Sequence, residues 1–222
     1  MGGVSAVDAG PVVLEMAAVI QREQGMLGEL DGAIGDGDHG INMSKGFRLA
    51  AAKLAGTGPF TMQHGFAVLG DTLLSDIGGS MGPLYGTFFT EMAENLGGSI
   101  TIDAAAFRSM LHAGVAAVAD LGGAKPGDKS LMDVLVPAEA ALDTAADFAA
   151  SLRAMRQAAA DGFESTRGMV ARIGRASRLG ERSRGVLDAG AASCNLLLAT
   201  LADGLLSRLE TAQSDRVRGT TP

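Results

Sequence analysis

Tryptophan is absent from this chain, tyrosine and cysteine occur once each, and aromatic residues make up only 4% of it. A single cysteine, Cys194, excludes an intrachain disulfide framework and fits a reducing compartment, so a cytoplasmic location is expected. The ordinary reading of Cys194 is a small buried residue on an apolar helix. Alternating apolar and polar runs rich in Val, Ile and Tyr are also missing, and no convincing strand can be drawn. No apolar run reads as long enough to span a bilayer, because the longest are interrupted by Gly, Asp or Arg. The N-terminus lacks the basic start and apolar core of a signal peptide. Positive charge is in short supply: 18 Lys and Arg face 25 Asp and Glu, a formal net charge of -7. That balance argues against a nucleic-acid surface.

The residues that are plentiful point to helices. With 222 residues, 47% hydrophobic and 19% charged, the chain reads as one globular domain over 1–222, with a polar tail from about 213 to 222 expected to fray. Ala, Leu and Met recur at helical spacing and predict an all-α fold. Eight helices can be drawn: Pro11 to Leu30, Asn42 to Leu54, Thr61 to Ile77, Gly82 to Leu96, Asp103 to Leu121, Ser130 to Asp147, Ser151 to Ile173, and Ala191 to Leu209. Pro11 suits a first helical turn, and Ser130 with Asp133 resembles a capping box. The glycine-rich breaks fall at alternate connections, around Asp31 to Gly40, Ile77 to Pro83, Gly122 to Ser130 and Gly174 to Gly190. In an up-and-down helical array alternate connections lie at the same end, so these four loops are expected to meet.

The first of them carries most of the chemistry. Leu30-Asp31-Gly32-Ala33-Ile34-Gly35-Asp36-Gly37-Asp38-His39-Gly40 places three carboxylates and four glycines in eleven residues. Carboxylates so close together repel unless positive charge sits among them, and hard divalent cations prefer oxygen ligands. Asp31, Asp36 and Asp38 are therefore read as a Mg²⁺ site. A solvated turn is the ordinary alternative for Asp-Gly clusters, but it needs one or two such residues rather than seven. A calcium EF-hand loop fails, because Phe47 stands at the twelfth position from Asp36 where a bidentate Glu belongs. Gly35, Gly37 and Gly40 spell G-x-G-x-x-G, but no strand precedes them and two Asp would repel a pyrophosphate unless a cation intervened. With Mg²⁺ in place, carboxylates hold the metal and the metal holds phosphate oxygens.

Three further features have both a functional and an ordinary reading. Gly122 to Ser130 nearly matches a P-loop, but Asp128 precedes Lys129 and no strand leads in; it reads either as a nucleotide-covering or partner-facing loop or as a plain connection. Gly78-Gly79-Ser80 leads into a helix whose free N–H groups suit phosphate, or is simply a tight turn. Arg172, Arg175, Arg178 and Arg182 form a basic cluster in an acidic chain; arginine forks suit phosphate, although a solvated helix end is the usual meaning of such a run.

These motifs together resemble the nucleotide-binding (L) subunit of dihydroxyacetone kinases. The resemblance rests on Leu30-Asp31, Ile34 to Gly40 and Asn42-Met43; on Gly78-Gly79 and Gly82-Pro83-Leu84-Tyr85-Gly86-Thr87; on Pro126 to Ser130; and on Gly174 to Ser177 with Leu179 to Ser183. The matches are collinear and cover nearly the whole chain. The resemblance implies an all-α barrel of eight antiparallel up-and-down helices with the nucleotide and Mg²⁺ at one end. It implies that Asp31, Asp36 and Asp38 hold two Mg²⁺ ions that bridge the phosphates of ADP or ATP. His39, Gly40, Ile41 and Asn42 would follow at the nucleotide, Ser80 and Met81 at the phosphate turn, Gly122 and Leu131 at the base, and Arg175 with Asp188, Ala189 and Gly190 at the remaining contacts.

The resemblance also implies a kinase active only with a separate sugar-binding (K-type) subunit, and with either ATP as donor or a bound ADP coenzyme recharged by a phosphotransferase-system (M-type) protein. A homodimer is compatible with it, and neither nucleic acid nor membrane is expected as a partner. Two departures bear on specificity. Ser80 is followed by Met81 where the family has Ala then Ser, and Gly185-Val186-Leu187-Asp188-Ala189-Gly190 lacks the family's His and Pro. They leave the ketose open between dihydroxyacetone and a tetrulose such as erythrulose. A non-catalytic, nucleotide-loaded regulatory module is the alternative class. The related domain of fatty-acid kinases is disfavoured by His39, where that branch resembles Asp-Gly-Asp-Thr-Gly.

Overall fold

The computed structural model describes residues 2–144 and 147–219. Helices dominate: α1 Ala6–Ala9, α2 Val12–Arg22, α3 Gln24–Ile34, α4 His39–Leu54, α5 Met62–Asp76, α6 Met81–Leu96, α7 Ala104–Gly122, α8 Met132–Ala141, α9 Phe148–Ser165 and α10 Ala189–Gly219. The fold is all-α, as the composition predicts. Two two-residue strands that the pattern does not reveal, β1 Val4–Ser5 and β2 Thr101–Ile102, pair antiparallel and tie the N-terminus to the α6–α7 connection. Such short runs offer no alternation to read.

The long helices pack in a closed cycle. From α2 the neighbours run α4, α5, α6, α7, α8, α9 and α10, and α10 packs back on α2. Their inward faces form one core, with Phe89 at a hub of rings: the centroids of Phe88, Phe66, Phe47 and Tyr85 lie 5.1, 5.4, 6.0 and 6.4 Å away. Short polar side chains start the helices. Thr61, Asp103 and Asp147 accept from the amides of His64, Ala106 and Ala150 at 3.2, 2.9 and 2.8 Å.

Several boundaries differ from those drawn on sequence. The first expected helix is two, α2 and α3, joined at Glu23. The break turns α3 toward α4, where Gly40 seats against the Gln24 carbonyl; a Cβ on Gly40 would run into that oxygen and lie 2.7 Å from the Gly28 amide nitrogen. The helix expected to reach Ile173 ends at Ser165, followed by a 3₁₀ turn at Thr166–Gly168. Hydroxyls compete with its backbone ladder there: Ser165 donates to the Gly162 carbonyl (2.6 Å) and Thr166 to that of Phe163 (2.7 Å). Of the segment expected to run to Asp147, residues 145 and 146 lie outside the described residues, and Asp147 caps α9. The helix expected to stop at Leu209 continues to Gly219; of the tail expected to fray, residues 220–222 lie outside the described residues.

The absence of a membrane-length run also needs correcting. Ala189–Ala212 is long and apolar enough by length and composition, but most of its apolar stretch is buried as a core helix. Cys194, on the same helix, is buried, and burial pushes its thiol well above the ordinary range.

Candidate functional site

Helices α4, α6 and α10 all begin at one cleft of about 400 Å³. Each brings the positive end of its dipole and first-turn N–H groups, some of them held by Asp31 and Asp188, so three separate elements favour negative charge at the same place. All four glycine-rich connections supply residues to its wall: the loop between α3 and α4, the turn before α6, the end of the α7–α8 connection and the long excursion between α9 and α10. The sequence-based expectation that they meet at one end therefore matches the structure.

The acidic loop is built by its backbone. Asp31 sits in the last turn of α3, Gly37 turns the chain with φ 78°, and Asp38 precedes α4. Only glycine adopts such a φ without strain. One carboxylate oxygen from each of Asp31, Asp36 and Asp38 lies within 4.8 Å of the others. Asp31 also accepts from the His39 amide at 3.2 Å, fixing the loop onto the start of α4. Arg175 stands opposite. Its guanidinium pairs with Asp36 and lies 3.5 Å from Asp38, and those carboxylates raise its pKa further. Three clustered, largely accessible hard oxygen donors suit Mg²⁺, and Mg²⁺ usually retains several waters alongside one or two carboxylates.

Behind this loop lies a buried polar chain. His39 Nε2 and Ser193 Oγ are 2.9 Å apart, Ser193 Oγ and the Tyr85 hydroxyl 2.7 Å, and both hydroxyls reach the Gly190 carbonyl, at 3.0 and 3.1 Å. Burial lowers the His39 pKa, against the opposing pull of Asp31 and Asp38. Asp188 caps α10, accepting from the Ala191 amide at 2.8 Å. Burial, opposed by that hydrogen bond and by Lys129, raises its pKa to about 6.

The other residues singled out on sequence fall into two groups. Asp31, Asp38, His39, Asn42, Ser80, Met81, Leu131, Arg175, Asp188, Ala189 and Gly190 line the cleft. Four do not. Asp36 reaches it through Arg175, and Gly40 is buried in the α3–α4 contact. Ile41 is exposed on the first turn of α4, and Gly122 abuts Leu84, which does line the cleft. The structure shows what two of the three ambiguous features bind. In the P-loop-like segment, Asp133 binds the amides of Gly127 and Ser130 at 2.5 and 2.7 Å, and Asp128 binds that of Lys125 at 3.0 Å, so its acids brace the loop itself. The Ser130 amide bond to Asp133 is one half of the expected capping box; in the other half the Ser130 hydroxyl accepts from the Met132 amide (3.2 Å) rather than from that of Asp133. Of the arginine cluster, Arg175 meets the acidic loop and Arg172 lies 3.9 Å from Asp128. Ser193 had no signal in the sequence, being one small polar residue on an apolar helix.

Fold and site together define a class: an all-helical domain whose acidic, glycine-turned cleft receives several helix N-termini. Residues 33–203 match the DAK2 domain, and the chain belongs to that family. It is 38% identical to the ADP-binding subunit DhaL of PEP-dependent dihydroxyacetone kinase 2 from Listeria innocua, over 88% of this chain and 93% of that one. To the corresponding ADP-binding subunit of Escherichia coli it is 37% identical over 83% and 90%. Among solved structures, the dihydroxyacetone kinase of C. freundii in complex with AMP-PNP and Mg²⁺ superposes with a TM-score of 0.67 at 27% identity. The match covers 91% of this chain and 34% of that longer one.

Proposed function

We propose that this chain is the nucleotide-carrying subunit of a short-ketose kinase of the dihydroxyacetone type. It holds ADP or ATP in the cleft with Mg²⁺ and presents a phosphoryl group to a hydroxyl of a ketose bound by a separate K-type subunit. The observation that carries this reading is the convergence of Asp31, Asp36 and Asp38 with three helix N-termini in one cleft. Carboxylates alone suit a cation and N-termini alone suit an anion; the two side by side suit a metal-bound polyphosphate.

Asp31, Asp36 and Asp38 would hold two Mg²⁺ ions, which when bound offset charge on the phosphates. His39 through Asn42 and Ser80–Met81 would place amides at the phosphates, with Gly122 and Leu131 near the base. Arg175 would add a guanidinium fork, and Asp188 through Gly190 would complete the wall. Asp31 orients the His39 amide at the start of α4, and Ser193 with Tyr85 keeps the imidazole in place from behind. Catalysis in such a site is mainly positioning and charge stabilisation.

The relatives named as ADP-binding subunits of PEP-dependent kinases support the mode in which ADP stays bound as a coenzyme and an M-type phosphotransferase-system protein recharges it. A cytoplasmic location follows from that partnership. Native mass spectrometry of the purified protein tests the reading. Retained ADP with Mg²⁺ is expected for the coenzyme mode, whereas a protein that takes up ATP only on addition of Mg²⁺ would show direct use of ATP. A protein that binds neither nucleotide, with or without Mg²⁺, would refute the proposal.

A further inference from the structure

Lys129 has its side chain fully buried although it borders an open cleft. Its ammonium lies 2.5 Å from the Val186 carbonyl oxygen, 2.6 Å from that of Ser183, 2.9 Å from Thr166 and 3.2 Å from Met169. Four acceptors surround a group with three N–H donors, so the arrangement coordinates a compact charge rather than matching donors one to one. Rings of main-chain carbonyls are how proteins replace the hydration shell of a monovalent cation. We propose that these four carbonyls form a monovalent-cation site that Lys129 fills with a tethered ammonium, and that this fixed charge holds the arginine-bearing excursion over the cleft. The second part rests on the nucleotide reading above; the first does not.

Where the carbonyls lie in the chain explains why the charge matters. Thr166 and Met169 leave the end of α9, and Ser183 and Val186 lead into α10, so Lys129 pins both ends of the excursion that carries Arg175. The same base is stitched by Gly185 N–H to the Arg167 carbonyl (2.8 Å), by Ala171 N–H to the Ser183 hydroxyl (2.9 Å) and by Asp188 N–H to the Thr166 hydroxyl (3.1 Å). Lys129 is also the one non-glycine among the described residues with positive φ, 63°. That conformation is strained for a lysine, and such strain persists where the surroundings over-determine it. Here Asp133 braces the loop on either side through the amides of Gly127 and Ser130. Burial lowers the Lys129 pKa, and Asp188 opposes the shift.

The test compares the full chain with Lys129→Gly and Lys129→Met in choline chloride and in potassium chloride at equal ionic strength. Glycine empties the cage and accepts the positive φ. Methionine refills the stem's space without charge. In choline both variants should melt below the wild type and bind Mg-ADP about ten- to a hundredfold more weakly, the range for losing charged hydrogen bonds. Potassium should raise the melting temperature of Lys129→Gly saturably and restore its Mg-ADP affinity, leaving Lys129→Met and the wild type unmoved. If Lys129→Gly is unfolded in choline, potassium should refold it. A Lys129→Gly protein indifferent to potassium, folded or not, overturns the cation site. Potassium-dependent melting with Mg-ADP affinity already at the wild-type level in choline overturns the link to the cleft. Failure of the wild type to bind Mg-ADP would count against the proposed function and leave the melting comparison standing.

Discussion

Replacing Asp36 by Asn separates ligand chemistry from folding more cleanly than any other change at the cleft. Asp36 and Asp38 are about half exposed, and the three carboxylate oxygens lie within 4.8 Å of one another. At that spacing each like-charge pair costs about 1 kcal/mol at the dielectric of water. Asp36→Asn removes two such pairs and weakens one exposed ion pair to Arg175, which contributes little in solvent. The protein stripped of nucleotide should therefore melt within a few degrees of the wild type, with an unchanged helical circular dichroism spectrum. Nucleotide binding should respond very differently. Mutating even an outer-shell partner of a metal costs about 10–100-fold in affinity, so loss of a direct carboxylate should exceed that range.

Thermal melts make the contrast measurable. Mg-ADP at about a hundred times its Kd stabilises the wild type by about 2.7 kcal/mol. For a domain of this size that corresponds to a rise in Tm of about 5–11 °C. At the same concentration Asp36→Asn should gain about a degree or less, since little ligand is bound. Asp31→Asn and Asp38→Asn should behave alike, because the carboxamide introduced by Asp31→Asn keeps an acceptor oxygen for the His39 amide. If all three variants keep the wild-type Mg-ADP shift, the carboxylates do not hold the metal and the reading of the cleft is refuted.

Two more outcomes follow from packing and burial. Gly40→Ala should destabilise the protein by about 1–3 kcal/mol, because its methyl meets backbone of α3 that cannot swing aside as a side chain could; urea unfolding would show it, and a wild-type midpoint would contradict the α3–α4 contact. Asp188, raised from 3.8 to about 6 chiefly by burial, favours folding in its neutral form. Its contribution is complete below about pH 4 and lost as pH rises through about 6, in total about 3 kcal/mol. Metal- and nucleotide-free wild type should therefore lose stability relative to Asp188→Asn between about pH 4 and 6, and parallel pH curves for the two proteins would count against an Asp188 whose burial outweighs the Ala191 amide and Lys129.

Helices were legible because their signal is periodic and local. α5, α6 and α7 begin and end within a residue or two of the ranges drawn from Ala, Leu and Met spacing and from caps such as Thr61 and Asp103. The acidic loop was legible because three carboxylates and four glycines in eleven residues have few other uses. Boundaries set by distant partners were not. α9 reads as continuous to Ile173, but the carbonyls of Thr166 and Met169, just past its end, turn to Lys129, 37 and 40 residues earlier in the chain. Lys129 itself stands one residue past the place where a P-loop would put its phosphate-binding lysine, and sequence shows the residue but not the direction of its side chain. Ser193 carries the bond between His39 and Tyr85 across 154 and 108 residues of chain, a relation that no local pattern encodes.

A cleft for a polyphosphate in a chain of net charge -7 is self-defeating until its charges are placed. Four carboxylates, Asp31, Asp36, Asp38 and Asp188, face two cations, Arg175 and Lys129, and the ammonium of Lys129 is committed to the carbonyls of the excursion. Helix N-termini add only partial charges. Under the proposed function the protein alone would thus repel a bare nucleotide, and the metal would have to arrive with it or before it. Linkage then makes the coupling reciprocal: whatever factor Mg²⁺ adds to nucleotide affinity, the nucleotide adds to the affinity for Mg²⁺. Acidic surroundings in this way select the metal-bound form of the ligand over the free anion, a discrimination that a cleft lined with lysines would not make.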